Sequence, residues 1–118
     1  MNQQTLLKDG RVLIPHVDMA TAVVSRHRGL LGRTSLPAGH GLCIQSCSAI
    51  HTWFMQFPLD LIFLDSRCRA VRIVRDVSPW RIVWGGLRAR SVVEMQAGWL
   101  PRDALHEGDA VTLVSSAR

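Results

Sequence analysis

The side chains that could do chemistry are concentrated between His51 and Asp65, in the stretch HTWFMQFPLDLIFLD. This is the most apolar run of the sequence, yet His51, Thr52 and Asp60 lie within it. Polar side chains inside a core-forming segment must be hydrogen-bonded or they destabilise the fold, so they are either structural residues or parts of a site. An imidazole and a carboxylate can serve as general acid and base, and both can also bind a polar ligand.

We predict that these residues line a small pocket, with Arg81 nearby to bind an anion. In the alternative interpretation, Asp60 stabilises a turn after Pro58, His51 bonds a carbonyl oxygen and Arg81 pairs with an acid. For the group as a whole the two interpretations are left open. The leading hypothesis is a non-enzymatic domain that binds a small polar or anionic ligand, or the chain terminus of a partner. The alternatives are a small hydrolase or transferase that uses His51 and Asp60 as acid and base, and a structural or protein-interaction module.

Cysteine chemistry receives less support from the residue pattern. Cys47, His51 and Asp60 supply the residue types of a Cys-His enzyme, but no local signature accompanies them, so no catalytic residue is assigned. The spacing between Cys43 and Cys47 suits zinc, but no second ligand pair lies at zinc-ribbon spacing. We therefore predict no metal and no cofactor.

Two further charged residues belong to the candidate set. Arg33 follows a glycine that is predicted to end a helix, and Glu94 is polar within an apolar strand. A structural ion pair between Arg33 and Glu94 is the preferred interpretation, and the alternative is that either side chain is simply solvated. Trp80, Trp84 and Trp99 are expected to be core or cap residues of a small barrel, whereas a solvent-facing pair of them would indicate carbohydrate stacking or a partner surface.

The hydrophobic pattern predicts the elements that must position these residues. Asp9-Gly10 between two apolar runs predicts a hairpin, with a second strand that ends at Pro15. Asp18 is a good N-cap for a helix from about Met19 to Leu31, closed by Gly32. From Leu59 to Leu64 nearly every position is apolar, which is typical of a strand covered on both faces.

Further strands are predicted over the rest of the chain, at 42–45, 70–77, 82–84, 91–95 and 110–114. Trp99 to Leu105 is predicted to form a short helical turn. The total is about seven strands and one main helix near the N-terminus. The predicted fold class is therefore α+β, with a mostly antiparallel, barrel-like sheet.

The length and composition of the chain limit the number of domains, the cellular location and the partners that we expect. The chain has 118 residues, which predicts a single domain, and a net charge of +5 that comes from dispersed arginines. No apolar run is long enough to cross a bilayer, the polar start is not a signal peptide, and the three cysteines are an odd number, so a soluble cytoplasmic protein is expected. Without a basic tail or a helix-turn-helix pattern, neither nucleic acid nor a membrane is expected as a partner. The oligomeric state is left open.

Several motifs occur in an order that resembles a known family. They are GLLGR at 29–33, IHTWFMQFPLDLIFLD at 50–65, PWR at 79–81, SVVEMQAG at 91–98 and Gly108-Asp109. Over about Thr21 to Val114 the chain resembles the domain of unknown function 192 family, a group of small prokaryotic proteins. The resemblance implies a compact β-rich domain with a little helix, and it adds little about activity because the family has no established general function. The polar residues of its motifs correspond here to Arg33, His51, Thr52, Asp60, Arg81 and Glu94.

Overall fold

The computed structural model describes residues 3–21, 36–53 and 55–116. Within these ranges the chain forms nine strands and no helix, so the α+β prediction is wrong and the described fold is all-β. The strands are β1 (Gln3–Lys8), β2 (Arg11–Thr21), β3 (His40–Gln45), β4 (Ala49–His51), β5 (Leu59–Leu64), β6 (Ala70–Val77), β7 (Ile82–Trp84), β8 (Ser91–Gln96) and β9 (Thr112–Ser115).

Seven of the strands form one sheet in the order β6-β5-β8-β3-β2-β1-β9. The pair β2 and β3 is parallel, and the other pairs of this sheet are antiparallel. Strands β4 and β7 form a separate two-stranded antiparallel sheet, in which His51 lies opposite Ile82. This small sheet carries several of the residues that the sequence singled out.

The two ends of the large sheet meet. Arg69, just before β6, forms a bridge with Ala110, just before β9. The Ala70 amide also donates to the Asp109 carbonyl at 2.8 Å, and the Val111 amide donates to the Cys68 carbonyl at 2.9 Å. The sheet is therefore curled, and backbone groups that would otherwise be exposed at its outer strands are paired.

Strand β5 is buried on both faces over all six residues, as its apolar pattern predicts. Leu59, Leu61 and Phe63 pack in a cluster that includes Ile50 of β4 and Val83 of β7. Ile62 and Leu64 point to the opposite face, where they pack in a second cluster that includes Leu6, Ile14, Val17, Leu100 and Leu105. The two-stranded sheet is thus one of the two layers that cover β5.

The predicted hairpin at Asp9-Gly10 is confirmed, since both residues have positive φ, at 51° and 77°. Strand β2 nevertheless continues past Pro15, where the prediction ended it. The register between β1 and β2 shifts at this point, from Leu6 opposite Ile14 to Gln4 opposite Val17. Proline has no backbone N–H to donate to a neighbouring strand. Pro15 is tolerated because it lies at this bulge, where the ladder requires no such hydrogen bond.

The predicted helix from Met19 to Leu31 is wrong over its first turn. Residues 19–21 belong to β2 and pair in parallel with Cys43, Ile44 and Gln45 of β3. Asp18 accepts a hydrogen bond from Gln3 Nε2 at 3.2 Å, so its carboxylate bonds a neighbouring strand. Residues 22–31 lie outside the described residues. The pairing with β3 overrides the local preference that the apolar spacing indicated.

The predicted helical turn from Trp99 to Leu105 is also wrong. These residues form turns, with the Ala104 amide bonded to the Pro101 carbonyl at 3.0 Å. Trp99 donates from Nε1 to the Leu13 carbonyl at 3.1 Å, and Leu105 is buried. The path of this segment is therefore determined by contacts at its two ends and not by helical hydrogen bonds.

Substitution of Gly85 by alanine is predicted to destabilise the fold through a clash between the layers. A Cβ there would lie 2.2 Å from Cδ1 of Phe63, whose ring is fully buried and cannot move aside. We expect Gly85→Ala to lower the free energy of unfolding in urea by about 3 kcal/mol. Gly86→Ala is the control, because it meets no atom within 4 Å and adds only the strain of φ +102°. Equal losses for the two variants would contradict this packing.

Candidate functional site

Thr52 joins the end of β4 to the connection between β6 and β7. Its hydroxyl donates to the Ser78 carbonyl at 2.8 Å and accepts from the Arg81 amide at 2.8 Å. Its own amide donates to the Arg81 carbonyl at 2.8 Å, and its carbonyl accepts from the Trp80 amide at 3.0 Å. The side chain is buried, so these bonds satisfy polar groups that water cannot reach. Thr52 therefore holds the turn that carries Trp80 and Arg81.

Three aromatic side chains lie in contact at this turn, and we name them the aromatic row: His51, Trp53 and Trp80. The ring centroids of His51 and Trp53 are 5.2 Å apart, and those of Trp53 and Trp80 are 6.4 Å apart. Trp53 is 42% exposed and Trp80 is 61% exposed. Trp80 also has a φ of 66°, an unusual backbone conformation for a bulky residue. The fold holds this indole at the surface at a conformational cost.

Arg81 follows Trp80 directly and is exposed. Its Nε donates to the Ser78 hydroxyl at 3.3 Å. The structure therefore brings together three of the predicted site residues, His51, Thr52 and Arg81, around one turn.

Asp60 belongs to a different hydrogen-bond network. Its Oδ1 accepts from the Asp76 amide at 2.8 Å, and its Oδ2 accepts from the Gly98 amide at 3.0 Å and lies 3.6 Å from Nη1 of Arg75. Arg75 in turn donates to the Leu100 carbonyl at 2.7 Å. Asp60 thus connects the end of β6 with the turn after β8, on the face of β5 opposite the two-stranded sheet.

A cleft of about 510 Å³ lies beside this second network. Asp60 and Arg75 line it together with Pro58, Pro101 and Arg102. Asp60 itself is only 3% exposed, and each of its oxygens already accepts a main-chain hydrogen bond. The geometry gives this carboxylate a structural role at the edge of the cleft.

Glu94 lies in β8 between Leu42 of β3 and Leu61 of β5, and it is fully buried. Its position is on the face of the large sheet that the two-stranded sheet covers. Arg33 lies outside the described residues, so the predicted pair between Arg33 and Glu94 stays a prediction.

The cysteines differ in environment. Burial, and secondarily the neighbouring Cys68, raises the pKa of the Cys43 thiol to about 11, so this thiol is protonated at neutral pH. Cys47 is half-buried and donates from Sγ to the Ala49 carbonyl at 3.0 Å. Within residues 3–21, 36–53 and 55–116, no group of three or more His, Cys, Asp or Glu side chains could hold a metal ion.

Sequence reasoning missed two features of these networks. Trp80 and Trp84 are exposed, so the core position allowed by the prediction is wrong for both, whereas Trp99 is half-buried. Arg75 was not recognised as the cation beside Asp60. The pairing of β5 with β6 could have indicated it, because Leu59 lies opposite Val77 and this register places residues 75 and 76 next to Asp60.

Comparison with known proteins identifies the family. The family model DUF192, described as Uncharacterized ACR, matches residues 5–113. The chain belongs to this family. A UPF0127 protein from Thermococcus gammatolerans is 31% identical over 109 residues, and the match covers 87% of this chain and 69% of that protein. A second UPF0127 protein, from Pyrococcus horikoshii, is 41% identical over 51 residues, so that match spans 43% of this chain and 44% of the relative.

The fold has also been seen in a solved structure. A protein of unknown function from Novosphingobium aromaticivorans superposes with a TM-score of 0.77 at 20% identity, over 93% of this chain and 83% of that chain. This likeness supports the all-β fold described above. The described part of this chain contains no helix of the length and hydropathy that a membrane span requires.

Replacement of Asp60 by asparagine is predicted to destabilise the protein without changing its shape. The carboxylate now accepts a hydrogen bond from each of two backbone amides. In asparagine an NH₂ group replaces one of the two oxygens, so one of these amides would face another donor and lose its acceptor. We expect Asp60→Asn to lower the free energy of unfolding by about 3 kcal/mol in urea titrations.

Asp65→Asn is the matched control for this variant. Asp65 Oδ1 accepts from the amides of Arg67 and Arg69 in a more exposed turn, where water can replace either bond. The loss in this control should be clearly smaller. An Asp60→Asn protein as stable as Asp65→Asn would contradict the assigned role of Asp60.

Proposed function

We propose that this DUF192 protein is a non-catalytic binding domain. Its aromatic row and Arg81 would bind a ligand that carries a planar ring next to an anionic group. The observation that carries the proposal is the row itself, because Trp53 and Trp80 remain exposed while their rings already contact each other. Rings that are ordered before binding offer a large contact area at a low cost in conformational entropy.

The surroundings of the row support an anionic ligand. Arg81 is exposed beside Trp80, and the whole chain has a net charge of +5. A guanidinium can bind a carboxylate or a phosphate through two parallel hydrogen bonds, and it can stack on an aromatic ring. The Thr52 hydrogen bonds hold the backbones of Arg81 and Trp80 in one turn, so consecutive residues supply the cation and the ring.

The contacts favour binding over the hydrolase or transferase alternative. Both oxygens of Asp60 accept main-chain hydrogen bonds in a network separate from that of Thr52. The Cys47 thiol donates to a backbone carbonyl. A general base must reach the proton that it removes. Here the Asp60 oxygens already accept hydrogen bonds from the backbone, and the Cys47 thiol already donates one. A purely structural module would account for Thr52 and Asp60 but would not require exposed tryptophans.

Adenosine 5′-monophosphate is a suitable first probe, because it joins a planar ring to a phosphate. Calorimetric titration should show that it binds more tightly than adenosine, which has the ring alone. Arg81→Gln is expected to weaken binding of the monophosphate by about ten-fold, the scale of a lost charge-assisted hydrogen bond, while adenosine binding stays unchanged.

Arg102→Gln serves as the control for the loss of one positive charge, because Arg102 is exposed and lies in the turn after β8. This variant should bind the monophosphate like the parent protein. Equal affinities of the parent and Arg81→Gln for adenosine 5′-monophosphate would contradict the proposed role of Arg81.

A further inference from the structure

A second exposed surface lies on β7 and the turn that follows it. We name it the Trp84 surface and define it by Ile82, Trp84 and Leu87, which are 71%, 52% and 85% exposed. Val83, between the first two, is buried against the core. Because side chains alternate along a strand, Ile82 and Trp84 point away from the large sheet. Three large apolar side chains are therefore presented to the surroundings within six residues of sequence.

Arginines are bound to the backbone of this same surface. Arg72 donates from Nη1 to the Trp84 carbonyl. Arg90 donates from Nη1 to the Leu87 carbonyl and to the Ala89 carbonyl, each at 3.0 Å. These bonds place both guanidinium groups at the base of the apolar side chains. Arg88, next to Leu87 in sequence, is exposed and adds a third positive charge.

Asp65 is an acid whose charge interacts with that of Arg88. Asp65 accepts hydrogen bonds from the backbone amides of Arg67 and Arg69, and its pKa is lowered, first by the Arg69 amide and more weakly by the charges of Arg69 and Arg88. The three arginines at the Trp84 surface outnumber this carboxylate, which gives the surface positive charge.

We propose that the Trp84 surface docks on an anionic lipid bilayer. Ile82, Trp84 and Leu87 enter the boundary between headgroups and acyl chains, and the three arginines contact lipid phosphates. Tryptophan favours this boundary because its ring is apolar while its N–H can remain hydrated. Basic side chains beside it are attracted to the negative surface potential of such a bilayer.

The shape of the surface favours a bilayer over a protein partner. Leu87 follows Gly86, whose φ is +102°, in a turn that leaves this side chain projecting and 85% exposed. A protein partner would need a pocket complementary to each projecting side chain, whereas a fluid bilayer closes around any of them. This inference goes beyond the proposed function, because it uses no residue of the aromatic row and does not involve Arg81. It also departs from the expectation that no membrane is a partner.

Sedimentation with lipid vesicles tests the proposal directly. The full chain is mixed with vesicles of phosphatidylcholine alone, or of phosphatidylcholine with about 30% phosphatidylglycerol. We expect sedimentation with the anionic vesicles together with a blue shift of tryptophan fluorescence. The double variant Trp84→Ser and Leu87→Ser should lower the partition coefficient by about ten-fold or more, since it removes two inserting side chains. Both positions are exposed, so this variant should stay folded by circular dichroism.

Val12→Ser is the control, because Val12 is 55% exposed on the β1–β2 hairpin and is not part of the Trp84 surface. Its partition coefficient should equal that of the parent. Failure of the parent to bind anionic vesicles at low salt would overturn the proposal and leave a protein partner as the occupant. Binding by the double variant as tight as that of the parent would also overturn it, because attraction would then rest on net charge alone.

Discussion

The whole arrangement depends on one constraint, the burial of β5 on both faces. Leu59, Leu61 and Phe63 require cover on one side, and Ile62 and Leu64 require it on the other. The curled sheet covers the second face with its own strands and with the segment that ends at Leu105. The first face is covered in part by the small β4–β7 sheet, which contributes Ile50 and Val83. A two-stranded sheet is marginal by itself, so this layer needs additional attachment to the rest of the molecule.

Two buried polar side chains supply connections that apolar packing cannot. Thr52 bonds backbone groups of Ser78 and Arg81, and so fastens the β6–β7 connection to β4. Asp60 bonds the amides of Asp76 and Gly98, and so ties the end of β6 to the turn after β8. Both residues satisfy donors and acceptors that would otherwise be buried without partners. The two residues support different parts of the surface. Thr52 positions the exposed aromatic row, whereas Asp60 lies at the edge of a cleft. The functional proposals therefore concern the outer face of the small sheet.

The sequence pattern predicts those elements whose conformation depends on neighbouring residues alone. The Asp9-Gly10 turn requires positive φ, and the run from Leu59 to Leu64, apolar at every position except Asp60, indicates a strand covered on both faces. The strand at Met19 does not follow from its local pattern, because it forms by parallel pairing with Cys43, a partner distant in sequence. The resemblance to its family marked His51, Thr52, Asp60 and Arg81 as a group. Their separation into two networks follows from which backbone amides surround each side chain, and no spacing in the sequence encodes that. The exposure of Trp80 and Trp84 likewise depends on which face of the small β4–β7 sheet packs against the core, and the local sequence does not determine that.

The Thr52 hydroxyl attaches the β6–β7 connection to β4 of the small sheet. Thr52→Val tests it most directly, because valine keeps the size of the side chain but can neither donate to the Ser78 carbonyl nor accept from the Arg81 amide. We expect Thr52→Val to lower the free energy of unfolding by about 2 kcal/mol, whereas Thr52→Ser, which keeps the hydroxyl, should lose clearly less. A Thr52→Val protein within about 0.5 kcal/mol of the parent in the same urea titration would contradict it.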